Sequence, residues 1–150
     1  MSEHSEFVRT HEHRFRLRVY FEDTDAAGIV YYANYLKYAE RARTEMMRPL
    51  GYRSSDMMSG PGQSVLAVRR CEADYLRPAR LDDELEIRSR IVAIGGASLG
   101  LEQVVFRVPD EMVIARLDIT LVHISLAGRP LRLDEGVRGM LTEFLTERRN

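Results

Sequence analysis

The chain has one cysteine, Cys71, among its 150 residues. A lone thiol cannot close an intrachain disulfide, so a disulfide-stapled scaffold is excluded. Surplus charge of either sign is also missing: 22 Lys and Arg stand against 23 Asp and Glu, a formal net charge of −1. A nucleic-acid-binding chain should show a basic excess, so no nucleic-acid partner is expected. No apolar run approaches the length of a membrane span. The first residues, MSEHSEFVRTHEHR, hold no apolar core of signal-peptide length, and the expectation is a soluble cytoplasmic protein. Repeats and low-complexity segments are absent too. What remains is an ordinary globular balance, 45% hydrophobic and 30% charged, in a length that fits one domain with a real core.

Residues 1–12 read as a polar, flexible tail, and residues 13–150 as a single domain. In "RFRLRVY", Phe15, Leu17 and Val19 alternate with Arg14, Arg16 and Arg18, the pattern of a half-exposed strand. A helix is expected over 32–48. Tyr35, Leu36, Ala39, Ala42, Met46 and Met47 recur at helical spacing, no proline or glycine interrupts them, and Pro49 and Gly51 end the run. "SSDMMSGPGQ" reads as a loop. Strand patterns follow over 63–76, 84–93, 98–108 and 112–125, and "DEGVRGMLTEFLTE" reads as a short closing helix on Val137, Met140, Leu141 and Phe144. The links "GGA" and "PDE" are too short for parallel crossovers and predict antiparallel hairpins. The class is α+β, a sheet with one face over one substantial helix. A single helix leaves the outer sheet face without a layer, and oligomerisation would cover it.

Between the first strand and the helix lies "EDTDAAGIVYYANYL", from Glu22 to Leu36. A metal site is not expected, because no carboxylate downstream of Asp25 completes a hard-cation ligand set. Acidic residues also suit a helix N-terminus, and Gly28 suits a turn. That reading leaves the bulky "IVYY" unexplained. A chemical reading uses both halves. Backbone N–H groups at a helix start lack intrahelical partners and can polarise a carbonyl. A carboxylate beside that carbonyl can attack it or activate a water. The apolar residues would keep such a site dry. Spacing alone leaves the last two readings level.

The segment "RVYFEDTDAAGIVYYANYLKYAERARTEMMR", followed by "DYLRPARLDDELEI" and "SLGLEQ", resembles the YbgC-type acyl-CoA thioesterases. These are the Tol-Pal system-associated branch of the 4-hydroxybenzoyl-CoA thioesterase family. The "D-x-D-x-x-G-x-V-[YW]" plus "NY" signature carries most of the likeness, in a match spanning roughly 14–122. The resemblance implies a hotdog fold, a curved antiparallel sheet wrapped around one long central helix. It implies homodimers, commonly paired into homotetramers, with active sites at subunit interfaces. It implies hydrolysis of acyl-CoA without a cofactor or metal. Carried onto this chain, the catalytic carboxylate is Asp25, as nucleophile or general base, and the carbonyl-polarising donor is the backbone N–H of Tyr32. Many relatives have His where Tyr32 stands, so a side-chain role there does not transfer. The turn at Gly95, Gly96 and Ala97 lacks the basic residue that relatives place near the CoA phosphates. Arg69 and Arg70, with Arg77 and Arg80, are the alternative candidates.

Gly28, Val30, Tyr31, Asn34 and Tyr35, together with Arg69 and Arg70, are thus the expected substrate-binding residues. Glu22 and Asp23 are expected to shape the loop, and Asn34 to cap the helix. Cys71 shares a predicted strand face with Val65, Ala67, Ala73 and Tyr75 and is expected to be buried. His123 reads as a buried, hydrogen-bonded or interface histidine with no tie to Cys71. A dehydratase of the same fold is disfavoured, because no histidine lies between His13 and His123. The rival to an enzyme is a binding or scaffold module engaging acyl carrier protein or phospholipid-synthesis partners. Acyl carrier protein is also the alternative thioester carrier.

Overall fold

The computed structural model describes residues 4–7, 11–59 and 62–145. Its elements are β1 (His4–Phe7), β2 (His13–Arg18), α1 (Asn34–Met47), α2 (Ser54–Ser59), β3 (Ser64–Tyr75), β4 (Glu84–Ile94), β5 (Ser98–Val108), β6 (Met112–Ser125) and α3 (Glu135–Thr142). All six strands join one antiparallel sheet in the order β1-β2-β4-β5-β6-β3. The sheet with its single long helix is the hotdog arrangement, and the α+β class holds.

Alternation in β2 puts Phe15 and Leu17 into the core, and Tyr38, Ala39, Ala42 and Met46 of α1 meet them there. The same period sends Leu85, Ile87 and Ile91 of β4, Leu99, Leu101 and Val105 of β5, and Leu117, Ile119 and Leu121 of β6 toward the helix. The two short links do form hairpins. The link after β3 does not: it carries the chain across to β4, so β3 pairs with β6 and ends the sheet.

Several expectations need correction. His4–Phe7, read as part of a flexible tail, pairs with β2, and Glu12 is buried; residues 1–3 and 8–10 lie outside the described residues. Ser54–Ser59, read as loop, is a short helix. Cys71 is exposed. The register shift between Val68 and Arg70 sets Cys71 opposite the buried Ile119 and in phase with Ala73, so it is on the helix-facing side, but β3 is the edge strand and that side lies open there. A similar shift after Ile91 turns Ala93 outward.

The outer face of β2 and β4 also differs from expectation. It carries its own ionic cover. Glu86 is 2% exposed, yet it meets Arg88 at 2.6 Å, Arg16 at 2.8 Å and Arg14 at 3.7 Å. Glu12 pairs with Arg14 and Arg90, and the Arg88 guanidinium lies 3.9 Å above the Phe106 ring. Burial alone would push the Glu86 carboxyl up, but the hydrogen bonds from Arg88 and Arg16 outweigh it and hold the group low. Arginine stems shield this part of the sheet while their heads stay partly wet.

Candidate active site

The loop from Tyr20 to Ala33 is built by its own carboxylates and carbonyls. Asp23 is its hub. One carboxylate oxygen, Oδ2, accepts the Tyr20 N–H at 2.8 Å, and its carbonyl accepts both the Tyr31 N–H at 3.0 Å and the Asn34 Nδ2–H at 2.8 Å. Asn34 therefore ties the first turn of α1 back to the loop. It does not cap the helix, whose N-cap position, Ala33, has no side-chain bond. The Tyr38 hydroxyl is buried beneath without a well-aligned partner; burial and the neighbouring negative charge of Asp23 push its pKa up.

Asp25 closes the tight turn that follows. Its Oδ1 accepts the Ala27 N–H at 2.9 Å, its carbonyl accepts the Gly28 N–H at 3.0 Å, and its own N–H donates to Ile29 at 2.9 Å. Gly28 has φ of +76°, a conformation that L side chains rarely adopt, so glycine is needed here. Val30 is buried and donates to the Ala79 carbonyl at 2.8 Å, while Ile29 bridges Arg80. The loop is thus pinned on both sides. Asp25 itself is exposed, and its Oδ2 has no partner among the described residues.

The helix begins after an open turn. Tyr31 N–H is taken by Asp23 and Tyr35 N–H by the Tyr32 carbonyl, but the N–H of Tyr32 meets no acceptor among the described residues. The unpartnered donor and the free carboxylate oxygen thus belong to one pinned loop-helix unit. Acyl transfer uses groups of these two kinds, a donor to a carbonyl oxygen and a base or nucleophile.

Tyrosines line the approach. Tyr31 and Tyr32 pack edge to face at 5.1 Å, Tyr32 meets Tyr75 of β3 at 5.7 Å, and Tyr75 meets Tyr35 at 5.7 Å. Tyr35 is buried and its hydroxyl accepts the Ala79 N–H at 3.1 Å. In one copy of the chain this end is not dry: Tyr31 is 48% and Tyr32 58% exposed. Tyr75 was not among the sequence candidates. Its signal was an aromatic at the end of the strand pattern over 63–76.

The structure brings Asp25, Gly28, Val30, Tyr31, Tyr32, Asn34 and Tyr35 to one end of α1. It does not bring Arg69 and Arg70 there within one copy. Arg70 opposes Thr120, is paired with Glu72, and lies five residues along β3 from Tyr75, roughly 16 Å at strand rise. Of the four arginines, Arg80 is the one whose backbone bridges the loop. His123 sits apart. Its Nδ1 faces the Leu131 carbonyl at 3.1 Å and its Nε2 the Ser64 hydroxyl at 2.9 Å. It opposes Leu66, five residues from Cys71, so the two share no site.

Comparison with known proteins places this fold and loop in a family. A family model described as "Thioesterase-like superfamily" matches residues 19–141, and the chain belongs to that superfamily. The acyl-CoA thioester hydrolase YbgC of Escherichia coli O6:H1 is 44% identical over 90 residues, 60% of this chain and 66% of that protein. The acyl-CoA thioesterase YbgC of Haemophilus influenzae is 40% identical over 112 residues, 75% of this chain and 80% of that one. A Bartonella henselae crystal structure, described as a probable thioesterase, superposes with a TM-score of 0.78 at 34% identity, covering 82% of this chain and 99% of that chain. No helix among the described residues is long and apolar enough to cross a membrane.

Proposed function

We propose that this protein hydrolyses acyl-CoA thioesters to a free acid and CoA, with Asp25 as the catalytic carboxylate and the Tyr32 backbone N–H as the donor to the thioester oxygen. The observation that carries the reading is the pairing, on one pinned loop, of a free Asp25 oxygen with an unpartnered Tyr32 N–H. Membership of the thioesterase-like superfamily and likeness to the YbgC thioesterases support it. A thiolate leaves without strong acid assistance, so the want of a nearby histidine is no obstacle.

In this reading Asp23 positions Asp25 and the helix start, while Gly28 and Val30 hold the turn. Tyr31, Asn34 and Tyr35 border the substrate. Arg80, beside the loop, is better placed within one copy than Arg69 or Arg70 to meet the CoA phosphates; those two would serve a neighbouring copy's site. A homodimer or homotetramer would also cover Tyr31 and Tyr32.

The test is thiol release from a panel of short, long and aromatic acyl-CoAs, for wild type and Asp25→Asn. The variant should lose at least ~100-fold in kcat/KM, the scale of a lost base or nucleophile. Equal turnover by the variant would remove Asp25 from the mechanism. Absence of turnover on every acyl-CoA by wild type would favour a binding module or an acyl carrier protein substrate.

A further inference from the structure

A cleft lies away from Asp25. It opens between the C-terminal half of α1, α2 and β3, with a volume of about 340 Å³. That is the low end of small-molecule sites, roughly 300–1,000 Å³. Met47, Met57, Leu66 and Leu121 form much of its wall, and Arg43 and Glu40 are its charged groups. Arg43 lies nine residues after the start of α1, roughly 14 Å along the axis.

Arg43 is the unusual member. Its side chain turns inward, mostly buried, and its Nη1 donates to the Gln103 Oε1 at 3.1 Å. Gln103 is fully buried and spends its own donors on the Ala39 carbonyl at 3.0 Å and the Ser89 hydroxyl at 2.9 Å. Among the described residues no carboxylate lies within ion-pair distance of Arg43. Glu40, three positions earlier on the same helix, would ordinarily pair with it, yet stays exposed. Burial accordingly pushes the Arg43 guanidinium below its usual range, against the opposing pull of Glu40. Elsewhere in this molecule a sheltered arginine such as Arg88 or Arg90 is matched by glutamate. A sheltered guanidinium held by one neutral amide keeps most of its five donors for a planar anion.

From this geometry we infer that the cleft binds a monocarboxylate with an apolar body, its carboxylate on Arg43 and its body against Met47, Met57, Leu66 and Leu121. A charge-assisted contact of this kind discriminates strongly against an uncharged ligand of the same shape. The cleft lies outside the Asp25 loop within one copy, so the inference does not depend on the hydrolase reading.

Isothermal titration calorimetry of the full chain with octanoate, 1-octanol and octylamine tests it. Octanoate should bind at least ~10-fold more tightly than octanol. Arg43→Gln, which keeps an amide toward Gln103, should bring octanoate down to the octanol level, and Asp25→Asn should leave octanoate binding unchanged. Octanol binding as well as octanoate would overturn the inference, as would preferential binding of octylamine, which would point to Glu40. No octanoate binding at millimolar concentration overturns it as well, and so does its loss in Asp25→Asn. The wild-type comparison of acid with alcohol decides the matter even where Arg43→Gln does not fold. Octanoate binding without thioester turnover would leave this site standing and remove the hydrolase reading alone.

Discussion

Asp23 and Asp25 stand two residues apart and have opposite surroundings. Each carboxylate accepts one backbone N–H, but Asp23 is half-buried and its carbonyl holds both Tyr31 and Asn34, whereas Asp25 is exposed. An acid that ties the helix start to the loop and an acid that is presented to solvent are thereby separated by burial and by what their carbonyls hold. His13 shows the same logic in the core. It is 1% exposed, its Nε2 meets the Ser5 hydroxyl at 2.6 Å, and its Nδ1 has no partner. Burial lowers its pKa from 6.5 to about 4, only partly opposed by Glu6. Above pH 6.5 the ring is neutral in both folded and unfolded chains and adds no pH dependence. As pH falls from 6.5 toward 4, the unfolded chain binds a proton that the folded chain refuses, so stability drops. Urea unfolding at pH 7 and pH 4.5 should therefore show a smaller acid loss in His13→Gln than in wild type, by roughly 2 kcal/mol. Equal losses would mean that His13 is not held neutral.

Among elements, β4 shows how far the alternating pattern carries and where it stops. Period two puts Leu85, Ile87, Ile91 and Ala93 on one face; the first three do lie in the core, while Ala93, past the register shift, does not. The pattern could not show that Arg14 and Arg16, seventy or so positions earlier, would meet Glu86, because register between β2 and β4 is a tertiary fact. The extra residues in β3 and β4 were equally invisible, since a bulge leaves no sequence mark here, and Cys71 was misplaced because period two does not show that β3 is an edge strand whose inner face lies open. The loop-helix unit was legible because its contacts are local: Asp25 to Ala27, Gly28 to Asp25, Tyr31 to Asp23. Arg43 was not, because its Gln103 partner lies sixty residues away, although Gln103 falls in phase with Leu99, Leu101 and Val105. The ionic face of β4 yields a contrast. Glu86→Gln leaves Arg14, Arg16 and Arg88 without their shared buried anion and should cost about 2–3 kcal/mol, less than a fully buried pair because two of the arginines are partly wet. Glu72→Gln, in the exposed pair with Arg70, should cost under about 1 kcal/mol. Urea titration of both variants checks the order, and equal costs would mean that burial of Glu86 contributes nothing.

At the scale of the molecule, the sheet ends on a long strand with one side unpaired among the described residues. β3 runs for 12 residues at the edge, and Val68 at 49% and Tyr75 at 43% exposure leave apolar surface along it. A long edge of this kind is a template for pairing with another chain unless charge, proline or a bulge blunts it. Here a register shift breaks it after Val68, but no proline does. The exposed Tyr31 and Tyr32 stand beside Tyr75 at the same end, so a second copy laid along β3 would also remove water from the Asp25 loop. The two effects are then linked: assembly and turnover should fail together. Multi-angle light scattering should give wild type at least twice the mass of one chain. Val68→Lys places a charge on the edge strand and should shift the protein toward a single chain at micromolar concentration, with thioester turnover falling in parallel as the protein is diluted. A Val68→Lys protein that keeps both its assembled mass and its full turnover would place the interface elsewhere than β3. One that becomes a single chain yet hydrolyses as fast as wild type would show that the loop and helix start need no second copy to exclude water.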